Sequence, residues 1–514
     1  MAIYISGVGM TPFGKTVRSL INLTTDAGRA ALEDAGIDAV DAVYVGVMNP
    51  EEFIGEGNLA VVVTDALGLT GASAVRIETA SSTGATAFHQ ACMAVGSGHA
   101  RRVLVVAAEK MTHLPTARTT AILAEVIDHD ERNAGASMPA LAALVTRCYM
   151  AQHGLSEEAM TRVLAAVAVK NHANGALNPY AQFRKPITEA AHRASRPIAT
   201  PLRLYDCAPI TDGAAAVVVS AEPGKGGVRV IGLGHATDTI ALRYRGSLTG
   251  FRSTRLAAAQ AYAMAGIGPQ DVSFAEVHDA FTPFEVIGTE DLGFFADGQG
   301  GRAVLDGTTG LTGRLPINPS GGLKARGHPV GASGLAQIVE AVWQLRGDAS
   351  PGRQLPSPAI ALVQSIGGLA NNNLVAILDR AERGTVHPVP AQPVVLEETP
   401  VVRGEPATLT AARLASYTVL HVPPEGFPSP LVLGLVQTAD GRRVLARADS
   451  SEGLSVGARV ALARDGYRYR FAVQSPVERI TAGIGSVFRR FTRPVRVRAR
   501  WLRRRRAARA AAQS

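Results

Sequence analysis

Three segments of the 514-residue chain carry residue types that could do chemistry. The first is Thr79-Ala80-Ser81-Ser82-Thr83-Gly84-Ala85, at the start of a helical pattern. Small hydroxyl residues there sit among free backbone N–H groups and the positive end of a helix. That setting suits a nucleophile or an oxyanion, and it equally suits plain helix capping. The second segment is Glu276-Val277-His278-Asp279-Ala280-Phe281, just after a strand pattern. The third runs from Asn318 to Gly334 and sets five glycines around His328. Backbone held that tightly around an imidazole marks a site residue more than a core histidine.

These segments need elements to hold them. Strand-like apolar runs at 42–47, 103–108, 214–220 and 374–378 alternate with Ala-rich helical stretches, which predicts an α/β fold with sheets covered by helices. A unit also recurs at an offset of 230 residues. Ala27, Ala31, Ala35-Gly36-Ile37, Asp41 and Tyr44 are matched by Ala257, Ala261, Ala265-Gly266-Ile267, Asp271 and Phe274. Each copy reads as a helix ending at a glycine, a short turn and a strand, so the spacing suggests two similar halves. Chance likeness between Ala-rich helices is the alternative. After residue 380, five prolines between 388 and 406 mark an extended linker. Short β-like runs at 416–422, 431–438, 443–448 and 459–463 then predict a small all-β module, a barrel more than a sandwich.

Together the segments resemble the thiolase superfamily, and more closely its sterol-carrier-protein or lipid-transfer-protein type. The resemblance rests on Gly327-His328-Pro329, His278-Asp279-Ala280-Phe281 and Asp212-Gly213-Ala214-Ala215-Ala216. Asn171-His172-Ala173-Asn174 and Leu177-Asn178-Pro179-Tyr180-Ala181-Gln182-Phe183 fit the same type. It implies a duplicated thiolase fold (an αβαβα layered sandwich), usually paired as a homodimer, acting on coenzyme A thioesters with no permanently bound cofactor. Ala415-Ser416-Tyr417-Thr418-Val419 and His421-Val422-Pro423-Pro424-Glu425-Gly426-Phe427 resemble the acyl-CoA-associated OB-fold found beside thiolases. The expected organisation is a thiolase N-terminal half at 1–222, a C-terminal half at 223–380, a linker at 381–407, an OB-type barrel at 408–474 and a basic tail at 475–514. No cysteine follows Cys207, so the zinc ribbon that usually precedes such a barrel is missing and no structural zinc is expected.

The resemblance also implies roles. His328 matches an oxyanion-hole histidine that also activates thiols. His278 stands where other thiolases have asparagine. Ser81 falls on the nucleophilic cysteine, and Ser365, in Ser365-Ile366-Gly367, on the acid/base cysteine. The backbone N–H groups of Ser81 and Gly367 would form a second oxyanion hole. A cysteine at a helix N-terminus can become a thiolate, whereas a serine hydroxyl needs a base beside it. Ordinary thiolysis through an acyl-enzyme is therefore in doubt. Cys92, Cys148 and Cys207 read as buried filler rather than replacements.

An enolate chemistry survives the loss of the cysteines. Two histidines can stabilise a thioester enolate, the intermediate of Claisen and aldol reactions. Retro-aldol cleavage of a 3-hydroxyacyl-CoA needs that enolate and a base, and no acyl-enzyme. Tyr244, between Arg243 and Arg245, is a candidate base, or else a surface ion-pairing tyrosine. Asp279 is a second candidate base, or else orients the imidazole of His278 or caps the following turn. A hydratase or carrier partner fits this reading. The competing one is a catalytically silent acyl-CoA or lipid carrier. The stretch 112–137, on which the acyl pocket depends, has no regular pattern.

The net charge of +9 is uneven. Residues 489–514 hold eleven arginines and no acidic residue, so this tail carries +11 and the rest of the chain −2. The tail reads as a solvated extension, as a peripheral membrane contact or as a site for an acidic partner. The barrel has few aromatics, so nucleic acid is not an expected partner. With three cysteines, no C-x-x-C pair, no signal-like N-terminus and no apolar run of about 18 residues, a cytoplasmic location is expected.

Overall fold

The computed structural model describes residues 1–380, 401–406, 409 and 412–474, apart from 225 and 467. The basic tail and most of the linker lie outside the described residues. The chain opens with β1 (Tyr4–Met10), β2 (Ala42–Gly46), β3 (Ser73–Ile77) and β4 (Arg102–Glu109). A short arm, β5 (Pro197–Ala199) and β6 (Leu202–Arg203), precedes β7 (Gly213–Ser220). Then come β8 (Val228–Thr237), β9 (Phe274–Glu276), β10 (Ile360–Gly367) and β11 (Asn372–Arg380). The large sheet runs β3-β2-β4-β7-β1-β8-β11-β10-β9. Its middle joint is narrow, with Tyr4 opposite Arg229 and Ile5 opposite Val228.

The two sides of that joint are copies. In each, the outer strand of the joint is followed by a helix, Leu20–Ala35 or Arg252–Ala265, that ends at a left-handed glycine. Gly36 has φ 67° and Gly266 φ 66°. In each, alanines of the repeat let helix and strand touch. A methyl on Gly9 would lie 2.3 Å from the Ala27 carbonyl oxygen, and one on Gly234 only 1.8 Å from that of Ala257. The 230-residue repeat is thus the packing surface of a duplicated unit.

Strand alternation sorts the layers, because successive side chains point to opposite faces. Val45, Leu104, Val106, Ala216 and Val218 pack outward beneath Leu20–Ala35. Val103, Val105, Val217 and Val219 pack inward on the helices Thr83–Gly96 and Ser333–Arg346. In the second half, Ile231, Leu362, Val375 and Ile377 face out under Arg252–Ala265, while Val230, Val363, Ala376 and Leu378 face in. The result is the αβαβα sandwich. Its two central helices cross closely at glycines: a methyl on Gly334 would lie 2.9 Å from the Ala85 Cβ.

Five strands form the C-terminal barrel: β12 (Ala412–Leu420), β13 (Leu431–Gln437), β14 (Arg443–Ala448), β15 (Arg459–Asp465) and β16 (Arg468–Val473). β12 pairs with both β13 and β15, which closes the cylinder around Leu414, Val436, Leu462 and Phe471. β16, with its alternating arginines and aromatics, was absent from the expected runs. Polar residues facing the barrel's exterior hide its small apolar alternation there.

The barrel docks on the sandwich through backbone. Leu420 pairs with Ala199 of the β5 arm, and the Ser416 hydroxyl donates to the Leu144 carbonyl at 2.7 Å. Arg147 stacks over the Tyr417 ring at 4.1 Å. The stretch 112–137, irregular by pattern, forms short helices at Thr116–Leu123, Ala124–Val126 and His129–Asn133. Arg447 of β14 holds its end, donating to the carbonyls of Ala134 at 2.9 Å and Asn133 at 2.8 Å. Beside it, Gly135 (φ 95°) lies against Phe427 and Leu431 so closely that a methyl would sit 2.6 Å from Leu431. Among the described residues no helix is long and apolar enough to cross a membrane.

Arg447→Ala should cost about 2 kcal/mol, as loss of charge-assisted hydrogen bonds to buried carbonyls does. The 124–138 segment should then exchange amide hydrogens faster while the sandwich strands keep their protection. Unchanged exchange across 124–138 would show that the barrel does not hold this segment.

Candidate active site

Each half supplies one wall of a cavity of about 190 Å³. Ser81, Cys207, His278 and His328 line it, amid Met48, Met111, Leu123, Met138, Phe281 and Phe284. Leu123, Ala124, Val126 and Met138 come from the stretch that the barrel clamps on its other side.

Ser81 lies at the N-terminus of the helix Thr83–Gly96, after Ala80 at φ 55°. A left-handed alanine is strained, and such strain is found where a turn must present a side chain sharply. The hydroxyls around Ser81 are engaged: Ser82 donates to the Thr79 carbonyl at 2.8 Å, and Thr83 to that of Ala80 at 2.6 Å. Ser81 itself faces the cavity, and no imidazole or carboxylate is hydrogen-bonded to its hydroxyl among the described residues.

The glycine-rich loop is held from below by carboxylates. Asp279 accepts the Leu323 N–H at 2.6 Å and the Asn171 amide at 2.7 Å. Glu276 accepts the Ser320 N–H at 2.9 Å and its hydroxyl at 2.7 Å, and pairs with the buried Arg326 at 3.3 Å. Glu109 accepts the N–H groups of Gly331 and Met48. Burial raises all three: Asp279 to about 6, Glu109 to about 8, and Glu276 above the ordinary carboxylate range. Gly322 has φ 60°, and a methyl there would strike the Asp279 carboxylate at 2.3 Å, so this contact requires glycine.

The loop presents His328. Its N–H donates to the Thr211 hydroxyl at 2.9 Å, and its Nδ1 meets the Ser333 hydroxyl at 2.7 Å. His278 is held by its own N–H, which donates to the Gln364 side chain at 2.9 Å. The two rings meet edge to face, 5.3 Å apart at 89°. Burial pushes His328 down to about 3, with the Arg326 charge adding to it. Burial pushes His278 well down as well, with the neighbouring His328 ring and the Arg326 charge opposing a second proton there. Both imidazoles are therefore neutral at neutral pH. Ser333 sets which nitrogen of His328 carries the proton. When its hydroxyl donates to Nδ1, Nε2–H is a donor to the cavity; when it donates to the Pro329 carbonyl, 3.0 Å away, Nδ1 holds the proton and Nε2 is a base.

Four expectations need correction. Tyr244 lies away from this cavity, in a cleft against the barrel with Glu131, Arg468 and Tyr469, its ring 4.5 Å from the Arg243 guanidinium. The barrel captures it, so it is no base for this site. Asp279 does not touch the imidazole of His278; its oxygens are taken by the loop backbone and Asn171. Ser365 points the other way from Ile366, as strand alternation requires. Ile366 lines the cavity, while Ser365 is buried without a partner over Gly334, lining a second small space with Ala85 and His89. Gly367 abuts the Ser81 turn, where a methyl would lie 2.5 Å from the Thr79 carbonyl; Gly368 is the glycine on the cavity wall. Cys207 is on that wall too, rather than filler, because Cys207 pairs with Phe281 and Ile210 with His328 across the site. Cys92 and Cys148 are buried elsewhere. Glu109, Thr211, Ser333 and Gln364 carried no signal of their own, since a single buried polar residue has no pattern.

Family models match along the chain: a thiolase N-terminal domain at 3–223, a thiolase C-terminal domain-like region at 234–380, and the ChsH2 C-terminal OB-fold domain at 409–464. The chain is 40% identical to an acetyl-CoA acetyltransferase of Methanothermobacter thermautotrophicus over 387 residues, covering 74% of this chain and 99% of that one. It is 34% identical to sterol carrier protein 2 of Bos taurus over 389 residues, 71% of this chain and 70% of that one. A solved Ltp2-ChsH2(DUF35) aldolase superposes with TM-score 0.63 at 27% identity, covering 74% of this chain and 98% of that one. The chain belongs to the thiolase superfamily. Within it, the chain is of the sterol-carrier-protein type, with an OB-fold domain fused at its C-terminus.

In ¹⁵N-histidine NMR, His278 and His328 should give neutral-imidazole signals from pH 8 down to pH 5, because their lowered pKa values keep the proton off over that window. Ser333→Ala should change the tautomer signature of His328 without charging the ring. Titration of either ring with a midpoint near the ordinary value of about 6.5 would contradict the burial argument.

Proposed function

We propose that the protein acts at the α-carbon of an acyl-CoA thioester, cleaving a 3-hydroxyacyl-CoA by retro-aldol chemistry. The observation that carries this reading is the pair of neutral histidines facing one apolar cavity in which the nucleophile position is a serine without a base. Acyl transfer through Ser81 lacks an activated nucleophile. Enolate formation needs only donors for the thioester oxygen and an acceptor for one proton. The thiol of Cys207 is no such acceptor, since burial and Asp206 push it up to about 12.

In this reading His328, with Ser333 donating to Nδ1, offers Nε2–H to the thioester oxygen. His278 takes the proton of the 3-hydroxyl. The Cα–Cβ bond breaks, its electrons form the enolate, and a ketone or aldehyde leaves. The proton held by His278 returns to Cα, giving the shortened acyl-CoA. The backbone N–H groups of Ser81 and of Gly367, which lies between the wall residues Ile366 and Gly368, would bind the thioester as the second oxyanion site. The fused barrel supports the reading, because its relatives include the OB-fold domain of ChsH2 and the neighbouring complex carries the name aldolase. A hydratase that supplies the 3-hydroxyacyl-CoA is the partner this chemistry calls for. A homodimer belongs to the same proposal: β3 is an edge strand whose Val75 is 46% exposed.

Incubation with a panel of 3-hydroxyacyl- and 3-oxoacyl-CoA substrates should release a ketone or aldehyde without free CoA. Ser81→Ala should retain this cleavage, and His328→Ala should lose about 10²–10³ in kcat. Free CoA released from 3-oxoacyl-CoA in a Ser81-dependent way would restore the thiolase reading, and tight acyl-CoA binding with no turnover would leave a silent carrier. For the dimer, Val75→Lys should shift the sedimentation coefficient to that of a monomer; an unchanged value places the contact elsewhere.

A further inference from the structure

Met48, Met111 and Met138 line the active-site cavity together with Leu123, Val126 and Phe284, and among the described residues no lining side chain carries a full charge. The cations behind the wall are engaged there. Arg326 pairs with Glu276 at 3.3 Å, and the Nζ of Lys324 donates to the Cys207 carbonyl at 2.8 Å. The space is also limited. A cavity of about 150 Å³ takes one benzene ring, so 190 Å³ holds about seven or eight carbons, the thioester carbonyl and Cα among them. One wall is backed by the barrel. A methyl on Gly135 would lie 2.7 Å from the Phe427 ring, and one apolar core runs from Phe284 and Ala124 through Ala136 to Leu431 and Leu433.

We propose that the acyl group taken by this site is medium-chain, about eight carbons long and uncharged at its far end, and that the fused barrel sets the length. The inference rests on the reading of the cavity as an acyl-CoA site and names the acyl class. A carboxylate at the end of the chain would leave water for a wall of methionine, leucine and phenylalanine, with no cation to receive it. Each methylene that enters the cavity leaves water for apolar surface, and once the cavity is full a further methylene gains nothing. Unbranched methionines adjust to different cross-sections, so the wall tolerates a branch or a double bond better than extra length. Length is stopped because the segment 124–138 has no room to retreat. Phe427 and Leu431 occupy the space behind Gly135, and Arg447 ties the carbonyls of Asn133 and Ala134 to β14.

Calorimetric titration of the full chain with saturated acyl-CoAs reads this without turnover. From butyryl- to octanoyl-CoA the affinity should rise about fourfold per methylene. It should level off between about six and ten carbons, so that dodecanoyl-CoA binds no tighter than decanoyl-CoA. Suberyl-CoA, which is octanoyl-CoA with a terminal carboxylate, should bind about a hundredfold more weakly than octanoyl-CoA. Phe427→Ala should move the levelling point up by about one or two carbons, and the milder Phe427→Leu should move it less. A rise that continues to dodecanoyl-CoA, or equal affinity for suberyl- and octanoyl-CoA, overturns the inference. A levelling point that neither variant moves overturns the barrel's part in it. The retro-aldol reading fails separately: 3-hydroxyoctanoyl-CoA that binds as octanoyl-CoA does but releases no hexanal removes that reading and leaves the medium-chain assignment standing. Cleavage that ignores chain length and terminal charge does the reverse.

Discussion

Buried carboxylates beneath a glycine-rich turn are the constraint on which the rest of the site depends. Asp279, Glu276 and Glu109 each lie without exposure to solvent and each accept backbone N–H groups of the segment that carries His328. Removing a carboxylate from water costs several kcal/mol, and only well-aimed donors offset it. The turn supplies those donors because its glycines let the backbone approach where a side chain would collide. The same Asp279 follows His278 directly, so one contact registers the two histidines against each other.

That arrangement holds two hydrogen-bonding imidazoles over one cavity. A neutral imidazole in an apolar cavity donates a hydrogen bond that water would otherwise weaken. Ser81 faces the same cavity from the opposite wall, and its turn is held by the left-handed Ala80 and the hydroxyls of Ser82 and Thr83. The barrel contributes from outside. Its Arg447 and Phe427 grip the far side of the segment that lines the cavity, so the fused domain is part of the pocket's architecture.

The duplicated fold was legible because it is built from local patterns. The Ala-rich helices, their terminal glycines and the alternating strands repeat at one offset, and the structure uses those alanines and glycines as its helix–strand contact. The barrel was legible in four strands and missed in β16, where arginine and tyrosine obscure the alternation. The histidines were legible because glycines surround one and a strand end delivers the other. Thr211 and Gln364 were not, since each acts through a hydrogen bond to a histidine far away in sequence, and Ser333, though only five residues from His328, reads as an ordinary helix-start serine.

By itself, the sequence determined the class of fold, the two histidines and the small hydroxyl residues at 81–83, since residue identity and short spacing carry all three. Only the tertiary structure decided which groups share the cavity. Strand alternation turned Ser365 away from it and Ile366 toward it, the barrel took Tyr244, and a bridge to Phe281 brought Cys207 in. Those outcomes depend on which face of a strand meets which partner across tens to hundreds of residues, and a one-residue change of register would reverse them.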